Sequence, residues 1–146
     1  MCSSDLDAIK RAEKQRTSAF DGVATSQPAL AYAYALQRRA AKVGFDWPDV
    51  DGALPKIAEE AEEVREAARS GDSEHLHLEL GDLLFAVVNV ARHLGVEPES
   101  ALRAASQKFR FRFEQVERLA LERGLDLHAL DLPALDSLWD EVKRSL

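Results

Sequence analysis

Residues 76–91, LHLELGDLLFAVVNVA, limit the possible folds more than any other stretch, because as a helix they are apolar on nearly every side. Such a helix has to be covered all round. The first cover comes from the residues just before it. Residues 59–70 are rich in Glu and Ala, which favour helix, and Ser70-Gly71-Asp72 reads as a turn. A turn that short folds two helices into an antiparallel hairpin. One small bundle supplies too little cover for the second helix, which predicts a homodimer.

The hairpin carries two pairs of acids at i,i+3 spacing, Glu60 with Glu63 and Glu79 with Asp82. Residues at that spacing share one side of a helix. An apolar stripe is read at Ile57, Ala61, Val64 and Ala68 in the first helix, and at Leu76, Leu80, Leu83, Val87 and Leu94 in the second. On an ideal wheel Glu60 and Glu79 lie roughly 60° to 70° from their stripe centres, and Glu63 and Asp82 roughly 120° to 130°, all in the same rotational sense. Antiparallel packing then brings four carboxylates together across a gap of about 8 to 10 Å. Unaided, they repel one another and some must protonate. A hard divalent cation with oxygen ligands, Mg²⁺ or Mn²⁺, removes the conflict. The plainer alternative is a solvated acidic face, against which the matched placement beside two stripes argues.

The chain of 146 residues fits one domain with a proper core. Abundant Ala, Leu, Glu and Arg, with no alternating apolar pattern, predict an all-α fold. With 19 basic and 26 acidic residues the net charge is −7, which argues against a binder of nucleic acid polymers, since phosphate contacts need a basic surface. A single cysteine, Cys2, excludes an intramolecular disulfide. There is neither a secretory signal nor an apolar run long enough to cross a membrane, so the expectation is a soluble cytoplasmic protein.

Residues 5–20 suit a short polar helix with a weak stripe at Leu6, Ile9 and Ala12. A loop follows, with Ser26 as candidate cap and Pro28 in the first turn of a helix over residues 28–43. Gly44 ends that helix. Phe45-Asp46-Trp47-Pro48 reads as an extended connection whose two aromatics pack over the bundle. The hairpin begins between Asp51 and Pro55, and its second helix stops at Gly95. Pro98 starts another helix that keeps Leu102, Ala105, Phe109, Phe113, Val116 and Leu119 on one face, with Gly124 beyond its end. Asp131 caps a last helix, with Pro133 in its first turn. The expected fold is an all-α helical bundle built round the antiparallel hairpin, with residues 1–20 as a partly helical extension and residues 21–146 as the domain.

Several segments now bear on identity: Val43-Gly44-Phe45-Asp46-Trp47, Glu59-Glu60 with Glu63-Val64, Glu79 with Gly81-Asp82-Leu83-Leu84-Phe85, Val88-Asn89 with Ala91-Arg92, and Lys108-Phe109 with Arg112-Phe113. In this order they resemble the MazG nucleoside triphosphate pyrophosphohydrolases from about residue 21 to 142, most closely the C-terminal domain of the tandem members. The resemblance implies a Mg²⁺-dependent enzyme that splits a nucleoside triphosphate between the α and β phosphates. The family motif, E-x-x-E followed by E-x-x-D, falls on Glu60, Glu63, Glu79 and Asp82, the acids chosen above on geometry. Glu59 with Glu62 fits the bare pattern too, but both lie roughly opposite the stripe.

As a mechanism, the acids hold the cation and a Glu takes a proton from water, with Glu60 and Glu63 as candidates. Lys108 and Arg112 are i,i+4 neighbours matching a family segment that contacts the triphosphate. Lys56, one turn before Glu60, and Asn89, two turns beyond Asp82, are further candidates for substrate contact. For base stacking, Trp139 resembles a family tryptophan that lies against the nucleotide. Trp47 is the alternative, with a place in the core the stronger reading for it. Two rival functions remain open. One is a non-catalytic helical interaction domain, the other a di-iron carboxylate bundle, for which Glu74 with His77 is the one Glu-x-x-His match.

Overall fold

A computed structural model describes residues 17–146, and among these no strand occurs. The helices are α1 (Ala29–Lys42), α2 (Val50–Ser70), α3 (Ser73–His93), α4 (Pro98–Glu122) and α5 (Leu132–Ser145), with a 3₁₀ turn at Leu127–Ala129. The all-α expectation therefore holds. The first 16 residues, including Cys2 and the stripe at Leu6, Ile9 and Ala12, lie outside the described part. Residues 17–20 form bend and turn rather than helix, because the Asp21 carboxylate accepts from the Thr17 and Ser18 N–H groups at 2.7 and 3.2 Å and closes the chain there. No helix among the described residues is long and apolar enough to cross a membrane.

The chain forms two compact units, one up to Glu99 and one from Ser100 to Leu146. In the first, α2 and α3 pack as the hairpin and α1 packs on α3. Ser26 does not cap α1. The Glu99 carboxylate, distant in sequence, accepts from the Ala31 N–H at 3.2 Å and places negative charge at the helix start. At the far end of α1, Gly44 takes φ +90°, and the Phe45 and Gly44 N–H groups return to the Ala40 and Ala41 carbonyls. This Schellman arrangement directs the following residues away from the helix axis.

Asp49 caps α2 by accepting from the Gly52 N–H at 3.2 Å, so the helix begins at Val50 and Pro55 falls in its second turn. The helix continues because the carbonyl left without a donor belongs to Asp51, which is exposed to water. Gly71 at φ +76° and Asp72 make the turn into α3, whose first N–H groups, from Glu74 and His75, donate to the Asp72 carboxylate.

The buried faces of the hairpin are rotated from the expected stripes. In α2 the buried positions are Ala53, Glu60 and Ala67, seven apart, with Ile57 and Val64 half-buried between them, while Ala61 and Ala68 are exposed. In α3 the seam runs through Leu76, Glu79, Leu83, Ala86 and Val90. Alternating spacings of three and four are those of closely packed, nearly antiparallel helices. One carboxylate thus occupies a seam position on each helix. The expectation of all-round burial for α3 fails within one chain, since Leu78, Leu80, Leu84, Phe85 and Val87 are all exposed. The two helices packed on it, α2 and α1, leave part of its circumference uncovered.

The second unit has its core at Val116, Ala120, Leu138 and Val142, flanked by Leu119, Leu127, Leu130 and Trp139. Asp131 caps α5 by accepting from the Ala134 N–H at 3.0 Å. Leu102, Phe109 and Phe113, expected on the apolar face of α4, are exposed. The 14-residue α5 packs on the C-terminal part of the 25-residue α4 and leaves the rest bare. Arg123 and Glu141 join the two helices through a two-pronged ion pair; the guanidinium lowers the Glu141 pKa.

Candidate metal and nucleotide site

Because Glu60 and Glu79 occupy seam positions, their carboxylates point into the hairpin interface rather than to solvent. The Glu60 side chain is 9% exposed and that of Glu79 17%. Carboxylate oxygens of Glu60, Glu79 and Asp82 lie within 4.8 Å of one another. Asp82, one turn beyond Glu79, is exposed at the rim. Glu63 is also at the rim, and the neighbouring Glu79 carboxyl, then the Glu60 charge, push its pKa up.

The partners of the two seam carboxylates follow a common pattern. Lys56 Nζ lies 3.2 Å from Glu60 Oε1, one turn away on α2. His75 Nε2 lies 3.2 Å from Glu79 Oε1, one turn away on α3. The other oxygen of each, Glu60 Oε2 and Glu79 Oε2, is buried with no hydrogen-bond partner among the described residues. Burying an acceptor without a partner is unfavourable, and burying a charged one more so. A divalent cation held by these carboxylates would give the unpartnered oxygens a partner, and an all-oxygen donor set suits a hard ion. The residues present fit such a group. Hydrogen bonding to Glu60, with the Glu59 charge second, raises the Lys56 pKa.

Glu74 and His77 are exposed at the start of α3 and stand apart from the acidic group. The feature expected of a di-iron site is therefore not in the cluster.

A second set of polar residues fixes the connection after α1; Asp46, Asn89 and Arg92 lie in segments that carry the resemblance, but their mutual contact could not be read from the sequence. The Arg92 guanidinium donates to both Asp46 oxygens at 2.8 and 2.6 Å, to Asn89 Oδ1 at 2.7 Å and to Gln37 Oε1 at 3.4 Å. His93 lies 3.0 Å from the same Asp46 carboxylate. Buried Gln37 in turn donates to the Phe85 carbonyl at 3.0 Å. Hydrogen bonding from Arg92 holds the Asp46 pKa down at about 2.

Phe45 and Trp47, expected to pack over the bundle, are 82% and 43% exposed. Trp47 lays one part of its ring over Gly52 and otherwise faces outward. With Gly44, Asp46 and Asn89 these aromatics line a cavity of about 330 Å³. The exit angle set at Gly44 and the clamp on Asp46 explain why two large apolar side chains stay in the open. Asn89 bonds a side chain rather than the neighbouring backbone, and lines this cavity two turns from Asp82 on the same helix.

Lys108, Arg112 and Trp139 belong to the second unit. Lys108 is exposed and Arg112 half-buried, and neither has an acidic partner among the described residues. Trp139 packs against the core of that unit, its ring 5.6 Å from that of Phe109, which stacks on Phe113 at 6.2 Å.

Comparison with known proteins gives matches along most of the chain. Residues 50–117, which include α2, α3 and most of α4, match the MazG nucleotide pyrophosphohydrolase domain. The chain is 45% identical over 137 residues to a nucleoside triphosphate pyrophosphohydrolase of Escherichia coli K12, covering 92% of this chain and 52% of the relative. It is 43% identical over 139 residues to the nucleoside triphosphate pyrophosphohydrolase/pyrophosphatase MazG of Thermotoga maritima, covering 95% and 53%. An uncharacterised Bacillus subtilis protein, YabN, is 45% identical over 145 residues, covering 97% of this chain and 30% of the relative. The chain thus spans about half the length of the first two relatives.

Proposed function

This chain belongs to the MazG family, and from that premise we propose that it hydrolyses nucleoside triphosphates between the α and β phosphates, releasing monophosphate and pyrophosphate. The observation that carries the proposal is the pair of buried, unpartnered oxygens, Glu60 Oε2 and Glu79 Oε2, in a group completed by Asp82. We assign the divalent cation, Mg²⁺ with Mn²⁺ as a substitute, to these three residues. When bound, it supplies positive charge for the phosphate oxygens and a water of lowered pKa. Glu63, at the rim beside Glu79, is our candidate to accept a proton from the attacking water, with Glu60 the other.

A triphosphate needs cations beyond the metal. Lys108 and Arg112 have no competing acidic partner among the described residues, and Arg suits phosphate because its planar fork holds two oxygens at once. Lys56 is held by Glu60 and Glu59 and stands beside the same acids as a further substrate contact. The cavity of Phe45, Trp47 and Asn89 offers aromatic surface for a base and an amide for a sugar or base edge. Trp139 is the second aromatic candidate. Stacking on an aromatic face tolerates any base, so broad base specificity follows.

The exposed apolar face of α3, with Leu80, Leu84, Phe85 and Val87, is assigned to a second copy of the chain, giving a homodimer. Residues 21–146 act as the enzymatic domain, in the cytoplasm where nucleoside triphosphates are made and used. The deciding experiment is pyrophosphate release from a panel of ribo- and deoxyribonucleoside triphosphates with Mg²⁺, comparing the wild type with Glu63→Gln and Asp82→Asn. Equal rates in all three would end the proposal.

A further inference from the structure

We propose that His75 is a positioning residue of the carboxylate centre, tethering Glu79 through Oε1 and so fixing the carboxylate whose Oε2 is left buried and unpartnered. This rests on the assignment of a divalent cation to Glu60, Glu79 and Asp82. The two seam carboxylates are treated alike by the fold: each has Oε1 tethered by a group one turn earlier on its own helix, and each has Oε2 buried and unpartnered. On α2 the tether is the Lys56 ammonium. On α3 it is the His75 imidazole, at 3.2 Å. A carboxylate accepts only, so in this contact the ring donates through Nε2 to Glu79.

The tether is itself anchored. His75 is the third residue of α3, and its backbone N–H donates to the Asp72 cap at 3.2 Å, which fixes where the ring starts. An untethered Glu rotates about three side-chain bonds and can present either oxygen, and this freedom has to be lost when a ligand binds. Groups that fix a ligating side chain through its free atom commonly change metal affinity by 10- to 100-fold. Because the His75 side chain is half-exposed, the lower end of that range applies. His77, two residues on and exposed, has no such contact among the described residues.

The test is a Mn²⁺ titration of the full chain, following the electron paramagnetic resonance signal of the free ion, for the wild type, His75→Ala, His75→Gln and His77→Ala. Circular dichroism in EDTA verifies that each variant is folded. The expected result is binding about 10-fold weaker in His75→Ala, recovery towards wild-type affinity in His75→Gln, whose amide also donates at i,i+4, and no change in His77→Ala. Equal affinity in the wild type and His75→Ala overturns the positioning role while leaving the cation centre intact. Equal weakening in the Ala and Gln variants overturns the hydrogen bond as its cause. A wild type that takes up no Mn²⁺ removes the cation centre, and the role of His75 with it.

Discussion

Glu60 and Glu79 are both largely buried, with oxygens no more than 4.8 Å apart. At that separation two full charges repel by about 3.5 kcal/mol at an effective dielectric constant of about 20. A divalent cation replaces the repulsion with attraction to both, and the unfolded chain has no such site. Binding therefore stabilises the fold, by about 2.7 kcal/mol when the free ion is about 100 times its Kd. In a chain of this size each kcal/mol moves the melting temperature by roughly 2 to 4 °C, so a rise of roughly 5 to 11 °C is expected. Thermal unfolding followed by circular dichroism, in EDTA and then in Mg²⁺ or Mn²⁺, measures it. Glu60→Gln should abolish the shift. Because it also removes one of the repelling charges, its metal-free melting temperature should stay at or above that of the wild type. A wild type indifferent to both ions would refute the reasoning. So would a metal-free fall of several degrees in Glu60→Gln, which would make Glu60 chiefly a structural partner of Lys56.

The Asp46 clamp has a pH signature. A pKa lowered from 3.8 to about 2 corresponds to about 2.5 kcal/mol, reduced to about 2 kcal/mol because the side chain is 22% exposed. The folded pKa lies below the unfolded one, so this stability is fully present above about pH 4 and is lost as pH falls towards 2. Asp46→Asn should lose about 2 kcal/mol in urea unfolding at pH 7 and show less further loss than the wild type between pH 4 and 2. Arg112→Ala should lower kcat/KM for triphosphates by about 10- to 100-fold, in keeping with loss of a charge-assisted hydrogen bond of about 1.5–3 kcal/mol; unchanged steady-state kinetics would remove Arg112 from the substrate site. Leu84→Glu, on the exposed face of α3, should shift the species seen by sedimentation from dimer to monomer. A wild type already monomeric at micromolar concentration would contradict the dimer.

Most of the helical plan can be read locally. Asp49, Asp72 and Asp131 are caps, and Gly44 and Gly71 occupy left-handed positions, because capping and backbone strain depend on residues within one turn. The pairing of Glu79 with Asp82, and of His75 with Glu79, has the same local origin in helical spacing. Where a partner comes from far along the chain, local rules fail. Glu99 caps α1 in place of Ser26, and Arg92 clamps Asp46 across 46 positions.

Composition, helical spacing and the turn at Ser70-Gly71-Asp72 established that the chain is helical, that residues 59–82 form an acidic hairpin, and which acids share a helix side. It did not establish the rotation of either helix. An apolar stripe wide enough for several rotations leaves the seam to be chosen by packing, and packing chose Ala53, Glu60 and Ala67 against Leu76, Glu79 and Leu83. That choice buries two carboxylate oxygens without partners and turns an acidic surface into a candidate metal centre. Tertiary contact likewise fixes the connection that carries Phe45 and Trp47, because Asp46 between them is clamped by Arg92 from α3.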